Sequence, residues 1–125
     1  MKRLNNLTDL AALLRSVDNS PTSKGGFDMV SPRLGDWTDH PCGTACCIGG
    51  WVQTANPQDT AGLTIELAVK SLQPDLDYYE CDMLCYPPPG PEAYNATPEQ
   101  AARAVEILRD TGKCDWVRAM KEGAV

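Results

Sequence analysis

Six cysteines and a single histidine are the residues of this 125-residue chain whose types and spacing suggest chemistry. Most of them lie in two short segments, with His40, Cys42, Cys46 and Cys47 in the first and Cys81 and Cys85 in the second. Thiolates and imidazoles are preferred ligands of tetrahedral zinc, so these six side chains are candidate metal ligands. Their spacing disfavours zinc, because zinc knuckles favour two residues between paired ligands, whereas three separate Cys42 from Cys46 and Cys81 from Cys85. We therefore expect buried thiols and no bound cofactor, with a zinc-binding structural module using Cys42 and Cys47 as the alternative.

A cysteine-dependent hydrolase is the second alternative. It would use Cys42, Cys46 or Cys47 near a helix N-terminus, where a thiol pKa can fall, with His40 as the base. Apart from nearby aspartates, no third side chain is evident that would orient the histidine. We therefore predict no catalytic residues and favour a binding protein over an enzyme.

The first cysteine segment leads into the most apolar stretch of the chain, which runs from Thr44 to Ala55 and stops at Asn56-Pro57. Because it is apolar or small on nearly every side, it predicts a central buried helix with Thr44 as its cap. Gly49 and Gly50 are unfavourable inside a helix, so we expect another backbone to cross closely there.

Apolar residues spaced three and four apart predict further helices. Leu7, Leu10, Leu14 and Val17 form one stripe behind an Asn6 cap. A second helix starts at Thr64, with Ile65, Ala68, Val69 and Leu72 on one side. A third runs from Asp77 to Cys85, with Leu76, Tyr79 and Met83 as its apolar stripe.

The clearest helix start is Thr97, followed by Pro98 and by Gln100, which completes a capping box. Gly112 is the expected stop, and Glu99 should pair with Arg103 across one turn. A last short helix should run from Asp115 through Lys121.

These elements predict one mostly α-helical domain over residues 1–125, a compact bundle of five or six helices around the central helix. At most a short β-hairpin is expected, near Phe27. The residues expected to be largely buried are Cys46, Cys47, Ile48, Trp51, Val52, Leu67, Ala101, Val105, Leu108 and Trp116.

The charge balance restricts the partners. Seventeen acidic residues against eleven basic ones give a net charge of −6, the wrong sign for nucleic acid or an anionic membrane. No stretch is apolar enough to span a bilayer, and the first residues lack the apolar run of a signal peptide, so we expect a cytoplasmic protein. Asp75, Asp77, Glu80 and Asp82 lie in one short region, where negative charge would attract a basic protein surface.

Four motifs occur in a recognisable order. They are Phe-Asp-Met at 27–29, Cys-Gly-Thr-Ala-Cys-Cys-Ile-Gly-Gly-Trp at 42–51, Ala-Thr-Pro-Glu-Gln-Ala-Ala at 96–102 and Thr-Gly-Lys-Cys-Asp-Trp at 111–116. The chain resembles, over most of its length, a family of small uncharacterised proteins of bacteriophages, prophages and bacteria. That family has a Cys-Gly-Thr-x-x-Cys-Ile-x-Gly-Trp core followed by a Thr-Pro-x-x-Ala helix, and it has no assigned activity.

Cys42 and Cys47 match the two cysteines of that family, whereas Cys46 stands where alanine is usual. Cys81, Cys85 and Cys114 match no family cysteine. The resemblance implies a phage or prophage origin. We expect the 42–51 motif to be structural, because Gly43 permits backbone angles closed to other residues, Thr44 can cap the helix and the small residues after it let helices approach closely. We therefore expect an accessory protein that binds another protein in the bacterial cytosol, with host metabolism or antiviral-defence proteins as its targets.

Overall fold

The computed structural model describes residues 2–17, 47–88, 90 and 93–124 of the chain. These residues form six α-helices and no β-strand, so the prediction of a mostly helical bundle of five or six helices is confirmed. The helices are α1 (Leu7–Ser16), α2 (Ile48–Ala55), α3 (Ile65–Ser71), α4 (Tyr78–Cys85), α5 (Pro98–Thr111) and α6 (Trp116–Glu122), with a 3-10 helix at Ala93–Asn95. The hairpin predicted near Phe27 lies outside the described residues.

The helices pack as two groups over one continuous apolar core. In the first group α5 packs between α1 and α6; in the second, α3 packs between α2 and α4. Contacts from α4 to α5 connect the two groups, and the indole of Trp116 donates a hydrogen bond of 3.0 Å to the Met83 carbonyl. The core therefore depends on contacts between residues distant in sequence.

Helix α1 begins and is buried as its sequence predicts. The Asn6 side chain accepts a hydrogen bond of 2.8 Å from the Asp9 amide, which satisfies one of the unpaired donors of the first turn. Leu7, Leu10 and Leu14 are fully buried. Val17, predicted to extend the stripe, is instead the extended C-cap residue and only partly buried.

Helix α2 begins later than predicted. Cys47 has extended backbone angles and is the N-cap, with its Sγ accepting from the Gly50 amide at 3.4 Å, so the helix starts at Ile48. Thr44, the predicted cap, lies outside the described residues. The end at Ala55 is as predicted, and the Asn56 side chain then holds the Leu4 backbone through hydrogen bonds of 2.8 and 2.9 Å.

The close crossing predicted from the paired glycines is found at Gly49. A Cβ atom there would lie 2.4 Å from Ile65 Cβ and 2.9 Å from the Ile65 carbonyl oxygen. Such distances are too short for any side chain, so glycine allows α2 to approach the start of α3.

Helix α5 has the predicted capping box. The Thr97 hydroxyl accepts from the Gln100 amide, and the Gln100 side chain accepts from the Thr97 amide at 2.9 Å. Gly112 ends the helix with a φ of 73°, a left-handed conformation that glycine adopts readily. Pro98 occupies the first turn.

Most of the predicted core is buried as expected. Cys46 lies outside the described residues, and Leu67 is the exception, because it is only partly buried on the side of α3 away from Ala68 and Val69. The buried members of the predicted set are Cys47, Ile48, Trp51, Val52, Ala101, Val105, Leu108 and Trp116.

Candidate functional site

The predicted metal and thiol residues are only partly within the described chain. His40, Cys42 and Cys46 lie outside it. Cys47 at the start of α2 and Cys81 and Cys85 on α4 are all fully buried. Within residues 2–17, 47–88, 90 and 93–124, no group of three or more histidine, cysteine or acidic side chains is arranged to hold a metal ion. The zinc alternative, which also involves the residues outside these ranges, stays a prediction.

The thiols of α4 are in surroundings that keep them protonated at neutral pH. Burial raises the pKa of Cys81 to about 11 and that of Cys85 well above its ordinary value. Burial likewise raises the pKa of Cys114 to about 12. Because the thiolate is the reactive form, these three cysteines are poor nucleophiles. The hydrolase alternative named Cys42, Cys46 and Cys47, and it stays a prediction.

An acidic side chain that the sequence did not single out is the most unusual group in the structure. Glu66, in the first turn of α3, is only 6% exposed. Its Oε1 accepts hydrogen bonds from the Thr64 hydroxyl at 2.6 Å and from the Tyr78 hydroxyl at 3.1 Å. Its Oε2 is buried and receives no hydrogen bond. Glutamate is rarely buried to this extent without a partner for both oxygens, so Glu66 is the strongest candidate for a functional group in the described ranges.

The Glu66 carboxylate faces residues of α4 and the turn after it. Its hydrogen bond raises the pKa of Tyr78. Burial raises the pKa of Asp82, and the charge of Glu66 raises it further. Burial followed by the charge of Glu66 likewise raises the pKa of Tyr86. The hydrogen bond of 3.1 Å places Glu66 next to Tyr78, and Asp82 lies four residues after Tyr78 and therefore on the same side of α4.

A surface rich in tyrosine and aspartate lies at the start of the same helix. Tyr78 is 40% exposed and Tyr79 71%, and their rings meet edge to face with centroids 5.6 Å apart. Asp75 and Asp77 beside them are exposed, and Asp77 caps α4 by accepting from the Tyr79 amide at 2.8 Å. We call Asp75, Asp77, Tyr78, Tyr79 and Asp82 the acidic tyrosine surface.

Two sequence predictions for this region are wrong. Tyr79 was expected on the buried stripe of α4, but Cys81, Leu84 and Cys85 form the buried side, so its ring points to solvent. Glu80 was expected in the acidic patch, but its Oε1 accepts from the Cys114 amide at 2.7 Å and serves to hold α4 near the start of α6.

Seven of the twelve acidic residues in the described ranges form no ion pair, and the aspartates of the acidic tyrosine surface are among them. Throughout the described ranges, every ion pair is made by an arginine, and none includes Asp75, Asp77 or Asp82. Lys70 is one turn after Glu66 on α3, yet its ammonium donates to the Pro74 carbonyl instead. Five of these seven unpaired carboxylates, all except Asp9 and Asp115, lie on α3, on α4 or in the turn between them.

A cavity of about 270 Å³ lies between the N-terminal segment and α1. The Arg3 guanidinium on its wall forms an ion pair of 2.9 Å with Asp59. Its lining is Lys2, Arg3, Leu4, Asp9, Ala12 and Leu13. Since none of these side chains is buried with an unmet polar atom, the cavity is a weaker candidate than Glu66.

Comparisons with protein-family models, with curated proteins and with solved structures each found no match. Of the helices in the described ranges, none has the length and apolar character needed to cross a membrane. The resemblance to the phage and bacterial family stays a prediction.

Sequence reasoning missed Glu66 because it looks like an ordinary first-turn acid. Acidic residues at a helix start favour the helix dipole and are normally exposed. Only the packing of α4 over α3 places this one beneath a tyrosine hydroxyl. No local pattern in the sequence distinguishes it from Glu99, which occupies the same turn of α5 and is paired at the surface.

Proposed function

We propose that this protein acts by binding a second protein, and that the acidic tyrosine surface is its contact region. The observation that carries the proposal is the combination of two exposed tyrosine rings with aspartates that form no ion pair within the described ranges. Tyrosine is enriched at protein interfaces because it offers a large apolar ring with a polar end. The partner surface is basic.

The local structure prepares this surface for binding. The Asp77 cap and the edge-to-face contact of Tyr78 with Tyr79 restrict the side chains before a partner arrives. Side chains that are already ordered lose less entropy on association, which leaves more of the contact energy for affinity. Because these aspartates have no ion pair to break, the approach of lysine or arginine side chains is favoured and accelerated by charge.

The wider role that we propose is that of a phage- or prophage-type accessory protein in the bacterial cytosol. It rests on the resemblance of the 42–51 and 96–116 motifs and on a net charge of −6. A basic groove that binds nucleic acid in a host or antiviral-defence enzyme would be attracted to such a protein, whereas nucleic acid itself would be repelled.

The experiment compares two triple variants in affinity capture from bacterial lysates. The surface variant is Asp75→Asn/Asp77→Asn/Tyr79→Ser. The control, Asp59→Asn/Asp110→Asn/Val117→Ser, makes the same two aspartate changes and replaces one exposed apolar side chain by serine at other exposed positions.

We expect the wild type and the control to retain a common set of basic proteins that the surface variant loses. That retention should decrease as salt is added, because exposed charges are screened. A set retained equally by both variants would contradict the proposal.

A further inference from the structure

We propose that Glu66, Asp82 and Tyr78 form a receptor for one arginine side chain of the partner. This inference rests on the proposed function, because it names the group that enters the acidic tyrosine surface. The starting observation is that Glu66 Oε2 is buried and accepts no hydrogen bond. The other buried side-chain polar atoms in the described ranges each have a hydrogen-bond partner.

The chemistry of Glu66 favours a cationic donor. Both available hydroxyls, from Thr64 and Tyr78, donate to Oε1, so Oε2 is left without a donor. The cost of burying a carboxylate is offset best by a partner that both donates hydrogen bonds and carries positive charge. A guanidinium group supplies both, since it has five N–H donors in a plane and can bind two carboxylates at once.

The described chain does not supply that cation itself. Lys70, the nearest in sequence, donates to the Pro74 carbonyl. The arginines of the described ranges are all engaged in ion pairs with other acids, namely Arg3, Arg15, Arg103, Arg109 and Arg118. Because the described ranges leave the site without a cation, we assign that role to the partner that binds the acidic tyrosine surface.

Tyr78 connects the buried acid with the surface. Its hydroxyl reaches Glu66 while its ring is 40% exposed, so the same side chain covers the carboxylate and faces solvent. When a partner arginine replaces the hydrogen bond of the Tyr78 hydroxyl to Glu66, the ring can turn aside and open a path to Oε2. An arginine that enters can then stack on the tyrosine ring, which attracts a cation through its face.

Asp82 supplies the second carboxylate. It is half-buried on the same side of α4 as Tyr78, and the charge of Glu66 acts on it. Two carboxylates close enough to repel are stabilised together by one guanidinium that bridges them. Lysine, whose ammonium is a compact and strongly hydrated charge, fits this pair less well because it lacks the planar fork.

The test measures binding of three labelled peptides of equal length, hexa-arginine, hexa-lysine and hexa-citrulline, in the presence of EDTA. The wild type should bind hexa-arginine about tenfold more tightly than hexa-lysine, and hexa-citrulline, which has no charge, should bind weakest. Glu66→Gln should lower the affinity for hexa-arginine about tenfold and change that for hexa-lysine less than about twofold. The control Asp59→Asn should leave the preference for arginine unchanged.

Glutamine keeps an oxygen that Thr64 and Tyr78 can hydrogen-bond, so the variant should fold, and Asp82→Asn provides a second variant if it does not. Equal losses for both cationic peptides, or no loss, would overturn the arginine receptor. A preference for hexa-arginine that appears only when EDTA is left out would assign the site to a metal ion and would also overturn the arginine receptor. The proposed function fails separately if the surface variant binds hexa-lysine as tightly as the wild type does.

Discussion

The two helix groups use charge in opposite ways. Where α1, α5 and α6 meet, acids and arginines are paired across helices: Arg15 on α1 reaches Glu99 and Glu106 on α5, and Arg103 on α5 reaches Glu122 on α6. Where α3 and α4 meet, Glu66 on α3 and Asp82 on α4 form no ion pair within the described ranges. The first arrangement holds helices together, whereas the second leaves negative charge available to a partner.

The difference lies in energetics as well as in geometry. Ion pairs at a surface contribute little singly, but the Arg15 guanidinium binds both oxygens of Glu106, at 2.7 and 2.9 Å, and the Glu106 side chain is only 19% exposed. A partly buried, two-pronged pair of this kind is the sort that stabilises a fold. Glu66 is more deeply buried and lacks such a partner, so its carboxylate lowers stability.

The largest predicted change in the free energy of unfolding comes from adding a methyl group where two backbones pass closely, and each helix group has one such position. At Gly49, a Cβ atom would meet the Ile65 backbone inside the α2–α3 contact; at Gly123, after α6, it would lie 2.6 Å from Gln100 Cα. Gly49→Ala should lower the free energy of unfolding by about 2 to 3 kcal/mol, because a helix interior cannot shift without losing hydrogen bonds. Gly123→Ala should lower it by about 1 kcal/mol, because a residue beyond the helix end can adjust.

Urea denaturation of both variants measures this difference. Ala61→Gly, in an exposed turn, is the control for general effects of glycine and alanine exchange and should change stability by less than about 1 kcal/mol. Equal costs at Gly49 and Gly123 would show that the two crossings are equally tight.

The features that could be predicted from the sequence are those that depend only on residues close together along the chain. Asn6 and Thr97 have side chains that cap a helix wherever the following residues are helical, and Gly112 can adopt the left-handed angles of a helix end. The spacing of Leu7, Leu10 and Leu14 likewise determines which side of α1 is buried. These features require no knowledge of the rest of the fold.

Ion pairs between different helices could not be predicted from patterns within one helix. Glu99 and Arg103 have the spacing of an intrahelical pair, yet Glu99 binds Arg15 and Arg103 binds Glu106 and Glu122. A neighbouring helix offers each of them a better-placed charge, which outweighs a pair worth only a few tenths of a kcal/mol. The burial of Glu66 was missed for the same reason, since it depends on how α4 packs over α3.

The next prediction removes a charge from the paired group. Glu106→Gln should lower the free energy of unfolding at pH 7 by about 1 kcal/mol, because Arg15 keeps only Glu99 as a charged partner. Its hydrogen bonds from Arg15 hold the pKa of Glu106 below the ordinary value. A lowered folded-state pKa means that this stability is present above the unfolded-state pKa of about 4.3 and is lost as the pH falls through the folded value.

Denaturation at pH 7 and at pH 3 measures this effect. The difference between the wild type and Glu106→Gln should decrease as the medium is acidified. A difference that is constant with pH would mean that Glu106 acts through packing and not through its charge.

The same substitution in the other group should have the opposite sign. Glu66→Gln removes a buried charge that has no cation, and it keeps an acceptor for Tyr78 and Thr64. We expect stability equal to that of the wild type or about 1 kcal/mol higher, because a buried neutral amide is less costly than a buried unpaired charge. Thermal and urea unfolding of Glu66→Gln, measured in parallel with Glu106→Gln, test the sign of the change in the free energy of unfolding. If Glu66→Gln lowered the free energy of unfolding more than Glu106→Gln does, the two helix groups would not use charge in opposite ways.

The smallest effect belongs to the acidic tyrosine surface itself. Asp75→Asn/Asp77→Asn should change the free energy of unfolding by less than about 0.5 kcal/mol, because both positions are exposed and asparagine caps a helix as well as aspartate does. At low salt the change should be a slight gain, since Glu66 and Asp82 then lose neighbouring negative charges, and added salt should remove that gain. The matched variant Asp59→Asn/Asp110→Asn should instead lose stability at low salt, because Arg3 and Arg109 lose their partners. If Asp75→Asn/Asp77→Asn were the less stable of the two variants, Asp75 and Asp77 would stabilise the fold. A loss of binding in that variant could then not be assigned to a lost contact with a partner.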